Sequence, residues 1–467
     1  MLIQPSLCFP FRKESAQMTH LYFYQGLHTI GGTVAEVRTP SARCLFDFGL
    51  SFENEVPPGM ELRPDRLVTD FLHMQCIPPV RGIYNRSRLG DEPLSAWEDG
   101  REPVFFLLSH MHIDHMGALG LLAEEIPVYM TEESLALYRA LCRAGMPAPA
   151  VHGNCIGVRC GEPVTVGDIT FEAAPVDHDI PGACGFLITT PDGNVCYTGD
   201  MRLHGFHGDR TLSFARRARG CDVCITEGVT AGFVEDFDAV VPSEELGPEG
   251  VTEEDVLKNI AGAVQQAKGA VFLNTYNRNL ERMARMSECI ESAGRALVTT
   301  GRQAYLLEQV CGRADLCVYE PFARLFPQKL AARPVTREQL QSCPERYVLE
   351  LPYVNLFETL DFDSASCLYI HANGAPLGPF DPNFERMTAF LGRRGIPLLE
   401  LGTGGHAAPE HLKFILGEIA PKVLIPLHSM GPEKIRIPGS RQLLPKTGAA
   451  YRLADHELKE ESSVKFL

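Results

Sequence analysis

The chain has 467 residues, 45% of them hydrophobic and 22% charged, a balance that excludes a disordered polyelectrolyte and a fibrous repeat. That length exceeds what one ordinary hydrophobic core organises, so two or three units, or one large domain carrying an insertion, are expected. With 43 basic against 59 acidic residues the net charge is −16, which repels a phosphate backbone at long range, so any polyanion has to be gripped locally.

The opening MLIQPSLCFPFRKESAQ lacks the long apolar run of a signal peptide, and no stretch of ~18 apolar residues follows, so a cytoplasmic protein with no membrane partner is expected. Short apolar runs separated by turns then read as strands: LHTIGGTVAEVRT, RCLFDFGL, PVFFLLSH, PVYM, PVTVGDITFEAAPV, CGFLITT, NVCYTGD and CDVCITEG. Residues 52–102, rich in proline, charge and Gly-Asp turns, read as an elaborated loop at the edge of this first unit. EESLALYRALCRA has helical spacing of Leu135, Leu137 and Leu141. The 15 cysteines are scattered through apolar runs and read as reduced core residues, and Cys221–Cys224 has no second CxxC to complete a zinc knuckle.

After Glu227 helices and strands alternate, from the capped helix in PSEELGPEGVTEEDVLKNIAGAVQQAKGA through AVFLNTY and RNLERMARMSECIESAG to PNFERMTAFLGRRG. That is the pattern of an α/β unit with a mostly parallel sheet. The last 70 residues are too few for a core of their own and are expected to complete the first unit. The division expected is 1–229, an inserted unit at 230–397, and a completing part at 398–467.

Strand PVFFLLS runs directly into His110-Met111-His112-Ile113-Asp114-His115, four ligand-type side chains in six positions. Imidazole and carboxylate donors suit zinc and related divalent ions. Such a turn can send its first two histidines to one ion and Asp114 with His115 to another, the arrangement of a two-metal hydrolytic site. His178, Asp200 and His428 each follow the carboxyl end of a predicted strand and are the expected remaining ligands. Asp47, ending strand RCLFDFG, is expected to orient a ligand histidine from behind.

These residues resemble the ordered motifs of the metallo-β-lactamase fold, and the chain resembles that fold's β-CASP branch, the ribonuclease J-like nucleases. The resemblance implies a four-layer αββα sandwich with an inserted α/β cap domain and two zinc ions per chain, with manganese as the second candidate. Glu227 in ITEG, His406 in GTGGHA and His428 resemble that branch's motifs A, B and C. Asn277–Arg282 and Gly301-Arg302 resemble segments of its cap. The chain departs where the family has Ser-Gly-His-Ala and this sequence has Gly404-Gly405-His406-Ala407, which leaves Thr403 to supply a hydroxyl. It departs again where Ser429-Met430 replaces the Gly-Glu that often follows motif C.

The resemblance implies a phosphodiester hydrolase with a metal-bridging hydroxide as nucleophile, Asp200 as the shared ligand, His406 acting on the leaving oxygen and Glu227 orienting it. Thr403, Gly404, Gly405 and His406, with Arg278 and Arg282 from the cap, are the expected substrate contacts. His204 and His207, beyond Asp200, read as loop residues at the substrate or the surface. Single-stranded RNA is the leading substrate, exo- or endonucleolytically cut, because a motif C histidine accompanies the branch's RNA-acting members. A DNA nuclease, a hydrolase of a small ester or nucleotide, and a non-catalytic partner subunit are the alternatives, and a homodimer is the assembly left open.

Overall fold

A computed structural model of the protein describes residues 18–51, 56, 60–145, 150–247, 250–324 and 326–461. The opening segment MLIQPSLCFPFRKESAQ and the last six residues of the charged tail lie outside the described residues. Among the described residues no helix is long and apolar enough to cross a membrane.

The first sheet begins with β1 (Thr19–Gln25), β2 (Val34–Arg38) and β3 (Arg43–Phe46) in antiparallel succession. It continues in parallel through β4 (Val104–Leu107), β5 (Val128–Thr131) and β6 (Cys155–Val158). Strand β4 shows what the sequence does here. Phe105 and Leu107 enter the core between the sheets while Phe106 and Leu108 enter the core on the opposite face, the period-two pattern of a strand buried on both sides.

The second sheet contains β7 (Val164–Val166), β8 (Ile169–Pro175), β9 (Cys184–Thr190), β10 (Gly193–Tyr197) and β11 (Val223–Thr226). The run PVTVGDITFEAAPV is thus two strands, folded back at Gly167, whose φ of 62° suits glycine. The third sheet is wholly parallel, with β12 (Val271–Thr275), β13 (Ala296–Thr299), β14 (Cys317–Tyr319), β15 (Arg333–Val335), β16 (Tyr347–Glu350), β17 (Leu368–Ala372) and β18 (Leu398–Glu400) in the order β15-β14-β13-β16-β12-β17-β18. Because β18 pairs with β17, the chain leaves this sheet only after Glu400, later than the division at 398 placed it.

The returning chain supplies β19 (Val423–Pro426) and β20 (Arg441–Gln442) to the second sheet, then β21 (Ala450–Ala454) and β22 (Glu457–Glu460) to the first. The first two sheets stack over a shared core that includes Leu21, Phe46, Phe105, Phe171, Phe186 and Ile225. Helix Glu132–Arg143 packs on the outer face of the first sheet, and helices Gly208–Arg217 and Pro409–Ile419 cover the second. The architecture is a four-layer αββα sandwich with an inserted α/β unit.

Within the stretch read as an edge loop, residues 60–102 are more than that. Val68, Phe71, Val80, Ile83, Tyr84 and Leu89 are buried in the core on the outer side of the first sheet. Their irregular spacing among prolines hides this from any helical or strand periodicity.

Candidate metal centre

Strand β4 ends where the ligand turn begins, and His112 stands at the N-cap of the short helix Ile113–Met116, so Asp114 and His115 rise from its first turn. Gly49 allows the neighbouring chain to close on this turn, since a Cβ there would lie 1.5 Å from the Asp114 carbonyl oxygen. His178 follows β8, Asp200 follows β10, and His428 follows β19, so three more strand ends deliver their side chains to the same place.

The side chains form overlapping clusters: His110, His112, His178 and Asp200; Asp114, His115 and His428; and Asp200, His406 and His428. One atom ties them together. Asp200 Oδ2 lies 3.2 Å from His115 Nε2, 3.5 Å from His110 Nε2, 3.5 Å from His428 Nε2, 3.7 Å from His406 Nδ1 and 3.9 Å from His178 Nε2.

Whether these residues fit cations is answered by their unspent donors and acceptors. His110 Nε2, His115 Nε2, His428 Nε2 and Asp200 Oδ2 are buried with no hydrogen-bond partner. Each such atom costs about 1–3 kcal/mol unless something satisfies it, and divalent cations satisfy this set together.

The far sides of the rings fix which nitrogen faces inward. His115 Nδ1 donates to Asp47 Oδ2 at 2.7 Å, and His178 Nδ1 to the Gly405 carbonyl at 2.6 Å. His110 Nδ1 donates at 2.9 Å to Ser109 Oγ, whose own proton goes to Asp47 at 2.8 Å. In all three the Nε2 lone pair is left for an ion. His428 differs: its Nδ1 accepts the Gly31 amide at 3.0 Å, so its neutral ring carries the proton on Nε2, which must be released or the ring turned for an ion to bind there.

Electrostatics match this reading. Burial holds the imidazolium of His110 well below its usual value and lowers that of His178 to about 3, so both rings are held in the neutral form that can bind a cation. Burial opposes ionisation of Asp200, yet His115 and His428 hold its carboxyl well below the usual range. His406 is the opposite case: burial disfavours its charge, but Glu227 and Asp200 push its pKa up to about 10. Glu227 Oε2 sits 3.0 Å from His406 Nδ1 and its other oxygen accepts the Met201 amide at 3.1 Å.

The expected substrate contacts fare unevenly. Gly404 is exposed, and no described residue accepts a hydrogen bond from the amide of Gly404 or Gly405. Thr403 does not offer its hydroxyl, which donates to the Val251 carbonyl at 2.7 Å. Arg282 is corrected too. It is 0% exposed, and its five donors go to Glu253, the Ala372 carbonyl, Asn373 and the Thr403 carbonyl, so none is left for a phosphate. Arg278 is buried with one guanidinium nitrogen on the Met111 carbonyl, inside the ligand turn. Arg302 is exposed, His204 is buried against the Gly404 carbonyl at 3.0 Å, and His207 pairs with Glu281 at 3.0 Å.

Four residues went unread in the sequence. Arg202 and Glu253 form a buried pair at 2.9 Å that continues to Arg282, and Arg202 also holds the Gly404 carbonyl at 2.8 Å. Tyr276, at the end of β12, packs edge-on to His112 with ring centroids 5.3 Å apart. Asp179 lies 3.1 Å from His112 Nε2. The acid-flanked triplet Asp177-His178-Asp179 was the only visible signal for any of them.

Comparison with known proteins agrees with this geometry. Residues 75–250 match the Beta-lactamase superfamily domain. A ribonuclease J from Thermus thermophilus is 23% identical across 94% of this chain and 74% of its own length. One from Helicobacter pylori is 27% identical across 89% of this chain and 56% of its own length. The crystal structure of a protein of unknown function from Enterococcus faecalis V583 superposes with a TM-score of 0.78 at 30% identity, covering 93% of this chain and 100% of that one. With this fold and this cluster of histidines and aspartates, the chain is a ribonuclease J-like protein of the metallo-β-lactamase fold.

Proposed function

We propose that the protein is a two-zinc phosphodiester hydrolase that cuts single-stranded RNA, with manganese as the alternative ion. The observation that carries this reading is Asp200 Oδ2, within 3.9 Å of histidines from every cluster, which supports a carboxylate shared by two ions. One ion would be held by His110, His112, His178 and Asp200, the other by Asp114, His115, His428 and Asp200. Two such cations supply an acidified water and neutralise charge on phosphoryl oxygens during an in-line displacement.

The chain's own residues do the rest. His406, oriented by Glu227, would give a proton to the leaving oxygen or bind the developing negative charge. The free amides of Gly404 and Gly405 offer hydrogen bonds to a phosphate without adding positive charge to the surface. That local grip suits a chain of net charge −16, which cannot attract nucleic acid from a distance. The segment 230–397 is read as a cap whose buried Arg282 and Glu253 brace the loop that carries His406.

RNA is favoured because both ribonuclease J relatives bear that activity in their names and their similarity spans 94% and 89% of this chain. Metal-loaded protein incubated with end-labelled single-stranded RNA, single-stranded DNA and bis(4-nitrophenyl) phosphate tests the reading. Cleavage of RNA at least tenfold faster than DNA supports it, whereas turnover of the small ester alone overturns it in favour of a small-molecule hydrolase. Light scattering of the same sample decides between monomer and homodimer.

A further inference from the structure

Asp47 backs one ligand histidine, and the other ion pocket has a carboxylate in the matching place. Asp179 is 12% exposed, and its Oδ1 lies 3.1 Å from His112 Nε2 and 3.4 Å from His178 Nε2. Neither Asp179 Oδ1 nor His112 Nε2 has a hydrogen bond, because the approach is close but off the N–H axis. The opposite nitrogen of the ring, His112 Nδ1, stands 3.2 Å from His178 Nε2. Since His178 spends its Nδ1 proton on the Gly405 carbonyl, its Nε2 is a lone pair, and His112 Nδ1 therefore faces the pocket that this lone pair faces.

Resting on the two-ion reading above, we propose that Asp179 is a positioning residue: it accepts the Nε2 proton of His112 and so fixes the tautomer whose Nδ1 lone pair binds the ion. The site then has two carboxylate-backed histidines, Asp47 behind His115 and Asp179 behind His112, one for each ion. Two neighbours hold the Asp179–His112 pair in place. A Cβ at Gly405 would lie 2.6 Å from Asp179 Oδ1, so the glycine loop closes directly over the carboxylate. Tyr276 packs edge-on against His112 and keeps the ring from swinging out of the pocket. The ring turns by a small χ2 rotation to align its N–H with Oδ1, a soft motion for an sp³–sp² torsion.

The test is metal titration of metal-free wild-type, Asp179→Ala and Asp179→Asn protein, with proton–nitrogen spectra of zinc-loaded samples labelled on histidine. Wild type takes up two ions and shows a hydrogen-bonded His112 Nε2 proton far downfield. Asp179→Ala binds one of the two ions about 10–100-fold more weakly and shifts that proton upfield, while Asp179→Asn, which keeps an acceptor oxygen, recovers part of both. Wild type binding fewer than two ions overturns the two-ion reading and this role with it. Two ions in wild type, with affinity and proton signal unchanged in Asp179→Ala, overturn the role of Asp179 alone.

Discussion

Asp47 receives the Nδ1 proton of His115 across 2.7 Å, from a position at φ 52° that few residues other than glycine, asparagine and aspartate adopt readily. The same carboxylate accepts the Ser109 amide at 2.7 Å and the Ser109 hydroxyl at 2.8 Å. One buried acid thereby anchors the strand end, the ligand turn and the ring. Asp47→Asn is expected to weaken binding of the ion at Asp114, His115 and His428 by about 10–100-fold, read by competition with a chromogenic chelator. Unchanged affinity would show that packing alone orients His115.

Replacement of His406 separates binding from chemistry. His406→Ala keeps every ligand assigned to the two ions, so metal content should stay at the wild-type level while turnover of a phosphodiester falls by about two orders of magnitude. A variant that loses metal would move His406 into the ligand set.

The buried charges that join the inserted unit to the glycine loop give a stability prediction. Arg282→Met leaves Glu253, itself 0% exposed, with Arg202 and the Asn279 side-chain amide as its remaining partners, and should cost roughly 3 kcal/mol in urea unfolding. Glu253→Gln combined with Arg282→Met should cost less than the two single changes added together, because the pair is in direct contact at 2.7 Å. Additive costs would mean that the two act independently.

In the third sheet, Glu350 at the end of β16 gives a pH signature. Burial pushes its carboxyl up to about 7, against the opposing hydrogen bond from the Thr300 amide. The folded chain therefore keeps a proton that the unfolded chain has already released above its ordinary value of 4.5. Stability is lost as pH rises from there towards 7, and Glu350→Gln should escape that loss. The variant is expected to match wild type near pH 4 and to be more stable on the order of 2 kcal/mol at pH 8. An equal difference at both values would contradict a buried neutral carboxyl.

Local chemistry explains which parts were legible in the sequence. The HMHIDH turn and the strand-end positions of His178, Asp200 and His428 could be read because metal ligands cluster behind apolar strands, and the structure brings them together at Asp200. Pairing across long separations could not be read: Leu398–Glu400 looks like any short strand, and only its register with β17 assigns it to the third sheet. Arginine likewise reads as a surface or phosphate-binding residue, so the 0% exposure of Arg282 follows only from Glu253, a partner 29 positions away that no local pattern announces. Thr403 was placed at the substrate for want of a serine, and the Val251 carbonyl that takes its hydroxyl lies 152 positions away.

The most direct measurement is an anomalous difference map from a crystal grown with zinc. Two peaks are predicted, one among His110, His112 and His178 and one among Asp114, His115 and His428, with the Asp200 carboxylate between them. A single peak, or zinc bound away from Asp200, would contradict the account.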